Sequence, residues 1–157
     1  AGHLGHMRIA QEGSTCSCGT VGCFEALASG SALTERAVST ADKSDHLAGI
    51  AQSRAIDARD VFEGARAGDS HCLHLVAEEA MYLGQGITSV IHILSPDRVV
   101  MGGGLSKAFD QLEPGIHEII SRAAMPPFRS VPVVKSALGD DSGLFGAASL
   151  VLDASGA

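Results

Sequence analysis

Between Asp69 and Ser95, apolar residues recur at steps of three and four: Leu73, Val76, Ala77, Ala80, Met81, Gly84, Ile87, Val90, Ile91 and Leu94. That period predicts one long amphipathic helix, with Asp69 as its N-cap and Ser95-Pro96-Asp97 as its stop, because proline disfavours helix at the residue before it. Arg98 to Met101 is a β-branched apolar run of the kind that forms a buried strand, and it leads into Gly102-Gly103-Gly104. A helix follows over about 113–124, with Pro114 in its first turn, then a strand at 131–136 and a Gly- and Ala-rich helix over 142–152. Upstream, 4–9 reads as a short strand. Leu27, Leu33, Ala37 and Val38 suit a helix over 25–38. The polar stretch 39–55 reads as a surface loop or short helix, and 59–67 as a helix capped by Asp57 and stopped by Gly68. This order of strands and helices argues an α/β fold with mainly parallel pairing.

With 157 residues the chain is one domain or a piece of one. Its opening, Ala1-Gly2-His3, lies close to a functional motif, and we read the chain as the carboxyl-terminal part of something longer. The formal net charge of −7 comes without any basic run, which excludes nucleic-acid binding by these residues, since phosphate contacts need clustered cations. No signal peptide and no stretch of about 20 apolar residues is present, so no membrane partner is expected. The most apolar helical segment, 83–94, is interrupted by Gln85, Thr88, Ser89 and His92.

The chemistry concentrates near the start. Cys16, Cys18 and Cys23 fall within eight residues, interleaved with Gly19 and Gly22, and His6 precedes Cys16 by ten. Cys₃His is a standard structural zinc set. The alternatives are a disulfide plus a free thiol, or inert buried cysteines. Cys16 and Cys18 are too close in sequence to pair comfortably, and three thiols leave one over, so the spacing favours Zn²⁺. Thiolates available to zinc point to a reducing, cytoplasmic setting. Elsewhere the signals are weaker. Gly102, Gly103 and Gly104 suit backbone approach to a nucleotide phosphate or a simple tight turn. Gly139-Asp140-Asp141-Ser142-Gly143 reads as a helix start, capped by Asp140, Asp141 or Ser142. His71 and His74 share a helix face without a third ligand, Cys72 between them reads as a small buried residue, and His46, His92 and His117 are isolated.

The motif Cys16-Ser17-Cys18-Gly19-Thr20-Val21-Gly22-Cys23-Phe24-Glu25, ten residues after His6, resembles the signature of the ROK family of sugar kinases and sugar-responsive repressors. The resemblance continues through 58–69, Val99 to Ser106, and 136–148. It implies part of an actin-like, ribonuclease-H-like ATPase lobe with a zinc-binding loop. Residues 1–25 would form the zinc and sugar-site segment, and 26–157 the helices with strands near 98–101 and 131–136. The amino-terminal lobe would lie outside the sequence. By the same resemblance, His6 ligates zinc and touches the sugar, Glu25 bonds sugar hydroxyls, and Gly102 to Gly104 border an ATP site. His3 stands where the family pattern has Glu. A neutral imidazole offers one acceptor and one donor where a carboxylate accepts from two hydroxyls. The family's kinase motifs, an early Asp-x-Gly-x-Thr and an Asn-Asp pair, do not occur here, so no catalytic residue is expected in this chain. Three roles follow as expectations. The first is a zinc-stabilised, sugar-sensing segment of a ROK transcriptional regulator. The second is the matching segment of an ATP-dependent hexose kinase, which alone would need ATP and Mg²⁺. The third is a zinc-stabilised dimerisation module. The implied partners are a hexose or N-acetylhexosamine, a second copy of the protein, and DNA only through a domain upstream.

Overall fold

The computed structural model describes residues 2–139 and 142–155. Seven α-helices and two strands are assigned among them. In chain order these are α1 (Phe24–Leu27), α2 (Gly30–Ser39), α3 (Asp45–Ala51), α4 (Ala58–Arg66), α5 (Ser70–Leu94), β1 (Val99–Met101), α6 (Phe109–Ala123), β2 (Val133–Lys135) and α7 (Ser142–Ser155). The strands pair in parallel, with Val99 opposite Val133 and Met101 opposite Lys135. Parallel strands need a crossover, and α6 supplies it.

Helix α5 is the axis of the core. Its Leu75, Val76, Ala80, Leu83, Ile87 and Ile91 are buried, and α6 lays Leu112, Ile116 and Ile120 against it, all fully enclosed. Burial of each such side chain stabilises the fold by about 1.5–3 kcal/mol. The two helices approach closely because a Cβ at Gly84 would lie 2.6 Å from the Cβ of Ile119. Both ends of α5 form as the sequence predicts. Asp69 Oδ1 accepts from the Cys72 N–H at 2.8 Å. Ser95 turns into the left-handed region at φ 46°, with its N–H on the Ile91 carbonyl, just before Pro96. Asp57 likewise caps α4, and Asp60 completes a capping box by accepting from the Asp57 N–H at 2.8 Å.

Three expectations need correction, and of the two alternatives for 39–55 the short helix forms. Residues 4–9 are not a strand: Leu4–His6 forms a 3₁₀ turn, closed by the Met7 N–H on the Leu4 carbonyl. The helix predicted over 25–38 breaks after Leu27, because Ser29 Oγ accepts from the Ala32 N–H at 3.1 Å and starts a new helix. Within 39–55, Ser44 caps α3 by accepting from Leu47 N–H at 3.0 Å, and Leu47 is fully buried. Helix α6 begins at Phe109 rather than 113, because the 3₁₀ turn Gly104–Ala108 runs straight into it and buries Phe109 and Leu112. Pro114 therefore sits inside the helix rather than in its first turn. No described helix is long and apolar enough to cross a membrane.

Candidate functional site

The segment between Met7 and Phe24 is a doubled-back loop tied at its base. Phe24 N–H donates to the Met7 carbonyl at 2.8 Å, Ile9 N–H donates to Gly22 at 2.9 Å, and Arg8 bridges Cys23. Gly22 is required there: its φ is +81°, and a Cβ would lie 2.1 Å from the Ala10 carbonyl oxygen. The tip turns through Cys16 N–H on the Thr20 carbonyl at 2.9 Å. These ties bring one donor atom each from His6, Cys16, Cys18 and Cys23 within 4.8 Å of one another. Cys16 Sγ lies 3.4 Å from His6 Nδ1, and Cys18 Sγ lies 3.6 Å from Cys23 Sγ. A tetrahedral zinc ion with these ligands has N–S and S–S edges of about 3.5–3.8 Å, which those two separations approach.

The electrostatics favour a cation at the same point. The Cys18 thiol is lowered to about 6, first by the Thr20 backbone N–H and then by its hydroxyl, with Cys23 contributing. The Cys23 thiol is pushed up to about 12, first by burial and then by Cys18 and Cys16 beside it. A divalent ion held by these sulfurs would offset that mutual penalty and favour their thiolate forms. With Nδ1 facing the thiols, Nε2 is the His6 nitrogen left for another partner.

The predicted sugar residues lie on or against the segment 3–6. The His3 and His6 rings lie 5.8 Å apart. Glu25, in the first turn of α1, sits against Gly5, where a Cβ would come 2.8 Å from Glu25 Oε2. His3, His6 and Glu25 are exposed around this point. Glu25 also lines a groove of about 170 Å³ with the hydroxyl-bearing Ser14, Thr15, Ser17, Ser29 and Ser31; His3 and His6 lie outside its lining.

Helix α1 is held from below by residues that the sequence reading missed. Phe24 packs on Gly86 of α5, where a Cβ would lie 2.2 Å from its ring. Arg36 Nη1 donates to the Leu27 carbonyl at 2.7 Å, while Nη2 pairs with Glu79. Arg36 Nε lies 3.1 Å from Glu78 Oε2 without hydrogen-bond alignment, and the guanidinium covers the Tyr82 ring at 5.5 Å. Glu79 is fully buried, its Oε1 has no hydrogen-bond partner among the described residues, and burial raises it to about 7 despite Arg36. The available signal was a carboxylate inside the apolar stripe of α5.

A second, larger cavity of about 1150 Å³ is bordered by Gly102 and Gly104, with Arg59, Arg66 and Lys107 in its wall. Gly103 adopts φ 73° and opens the 3₁₀ turn. The two cavities meet at the start of α2, sharing Ser29, Ser31 and Glu35. Of the remaining sequence candidates, Asp140 and Asp141 lie outside the described residues. His71 Nε2 meets Thr40 Oγ1 at 2.8 Å and shares no metal cluster with His74 among the described residues. Cys72 is fully buried.

Proteins similar to this chain include both glucokinases and transcriptional regulators. A glucokinase of Thermotoga maritima is 36% identical over 155 residues, covering 94% of this chain and 48% of the relative. The Escherichia coli K12 transcriptional dual regulator NagC is 29% identical over 154 residues, covering 96% of this chain and 36% of that protein. The crystal structure of a Streptomyces griseus ROK glucokinase, in complex with glucose and AMPPNP, superposes with a TM-score of 0.80 at 30% identity, covering 96% of this chain and 51% of that one. A ROK transcriptional regulator homologous to the E. coli Mlc protein superposes with a TM-score of 0.74 at 28% identity, covering 85% of this chain and 34% of that one. The chain thus spans about half, or less, of each relative's length. The ROK family profile matches residues 1–154, and with these relatives on both sides it establishes that the chain belongs to the ROK family.

Proposed function

We propose that this chain is the zinc-ordered, sugar-recognising segment of a ROK protein that senses sugar to regulate transcription. The observation that supports it is that His6 belongs to the donor set with Cys16, Cys18 and Cys23 and also to the short segment whose His3 ring lies 5.8 Å from its own and whose Gly5 meets Glu25. In this reading zinc would fix the His6 ring through Nδ1 and aim Nε2 at a sugar hydroxyl. Glu25 accepts hydrogen bonds from sugar hydroxyls, and its charge makes those bonds worth about 1.5–3 kcal/mol. His3, replacing the family's carboxylate, removes an acceptor and favours binding without tight catalytic positioning. The hexose or N-acetylhexosamine class comes from relatives named as glucokinases and N-acetylglucosamine repressors.

A kinase reading has its own support. Two glucokinases are 36% and 35% identical and two others 30%, against 29% for the repressor, and the glycine-bordered cavity adjoins the Glu25 groove as donor and acceptor sites must. In that reading Gly102 and Gly104 approach ATP, and the base that takes the hydroxyl proton comes from outside these residues. Sugar-dependent ADP release by the complete protein, assayed across glucose, mannose and their N-acetylated amines, separates the two. The regulator reading expects none above background. Sustained turnover with any of these sugars overturns it in favour of the kinase.

A further inference from the structure

The three loop thiols differ in access. Cys16 and Cys23 are buried, whereas Cys18 is exposed at the loop tip, next to Gly19, around whose Cβ position nothing lies within 4 Å. Cys23 Sγ lies 3.6 Å from Cys18 Sγ, with four residues of chain between them to turn the backbone. Cys16 is placed differently: it faces His6 Nδ1 at 3.4 Å, and it is only two residues from Cys18, too near for an unstrained bridge. One thiol of the set is open to solvent, and a second, sheltered thiol stands within reach of it.

We propose that Cys18 and Cys23 form a hydroperoxide-oxidisable dithiol whose disulfide expels the metal ion; that the ion is zinc and orders a sugar site rests on the function proposed above. The chemistry balances in two steps. Cys18 sulfur attacks a peroxide oxygen: the S–O bond forms, the O–O bond breaks, and the departing oxygen takes a proton to leave as water or an alcohol. Cys23 sulfur then attacks Cys18 sulfur: the S–S bond forms, the S–O bond breaks, and the hydroxide takes a proton and leaves as water. Two sulfurs lose two electrons, and the peroxide gains them. Only His6 and Cys16 remain as ligands, too few to hold zinc in a closed site. Cys23 immediately precedes α1, so loss of the ion also unties the segment that carries Glu25 from the one that carries His6.

The test uses hydrogen peroxide on the complete, zinc-loaded protein. Released zinc is read with a chromogenic chelator, and disulfides are read by peptide mapping after alkylation. The expected result is one zinc released per chain, a Cys18–Cys23 linkage, Cys72 still reduced, and reversal by dithiothreitol with added zinc. A Cys18→Asp variant keeps an oxygen donor but cannot form the bridge, and its peroxide-driven zinc release should slow by about tenfold or more. Retention of zinc by the oxidised wild-type protein overturns the proposal, as does a bridge involving Cys16 or sulfinic acid on Cys18 without any bridge. If the linkage and zinc release occur but the reduced, zinc-loaded protein binds no sugar, the dithiol stands and the sugar reading falls.

Discussion

Arg36 reaches from α2 to the last carbonyl of α1, to the buried Glu79 of α5 and to the face of Tyr82. Its charge is what makes a carboxylate tolerable inside the core, and it does so incompletely: Glu79 stays raised, to about 7, chiefly by burial. The folded state therefore holds a proton that the unfolded chain, at the ordinary 4.5, releases earlier. Glu79's contribution to stability is full below about pH 4.5 and is lost as pH rises through about 7. Urea unfolding of wild type and Glu79→Gln at fixed zinc should show the wild type losing about 1–3 kcal/mol relative to the variant between pH 5 and pH 8. A gap that stays constant, or grows in favour of the wild type, contradicts this assignment. At this scale the clustering of His6, Cys16, Cys18 and Cys23 was legible because thiols and imidazole at short loop spacing have few other uses. The Arg36–Glu79 pair was not, because it joins positions 43 residues apart.

Helix α1 is four residues long and cannot stabilise itself, so its position depends on what it rests upon. Phe24 lies flat on α5 at Gly86. A Gly86→Ala change should raise helix propensity by about 1 kcal/mol, yet the added methyl must displace the ring, at a cost of about 1–3 kcal/mol. Net destabilisation in thermal melts, with weaker sugar binding as Glu25 shifts, is the expected outcome; a more stable variant with unchanged binding contradicts the role given to this contact. Elements with a chemical signal at their ends, such as α4 with Asp57 and α5 with Asp69 and Pro96, read correctly from sequence. Residues 4–9 misread because their apolar content suggested pairing along a strand. The loop instead pairs through the single bridges Arg8–Cys23 and Thr15–Val21, and the turn at Leu4–His6 presents His6 to the thiols. Ser29 and Ser44 were the missed caps, since an isolated serine at a helix start looks like any polar loop residue.

Across the whole molecule, the loop, α1 and the start of α2 form one continuous face, where the Glu25 groove and the glycine-bordered cavity adjoin. The α/β class and parallel pairing were legible from the order of elements. The adjacency of the cavities was not, because it depends on how α2 and α4 meet, and no local period encodes that. We propose that a metal held by His6, Cys16, Cys18 and Cys23 orders a sugar-recognising surface on this face. Calorimetric titration of glucose and of N-acetylglucosamine into the complete protein, zinc-loaded and then chelator-stripped, tests it most directly. Saturable binding of one of these sugars by the protein carrying one zinc per chain, weakened by about tenfold or more on stripping and restored by added zinc, is the predicted result. Equal affinity with and without the metal, or freshly purified protein that holds no zinc, would contradict it.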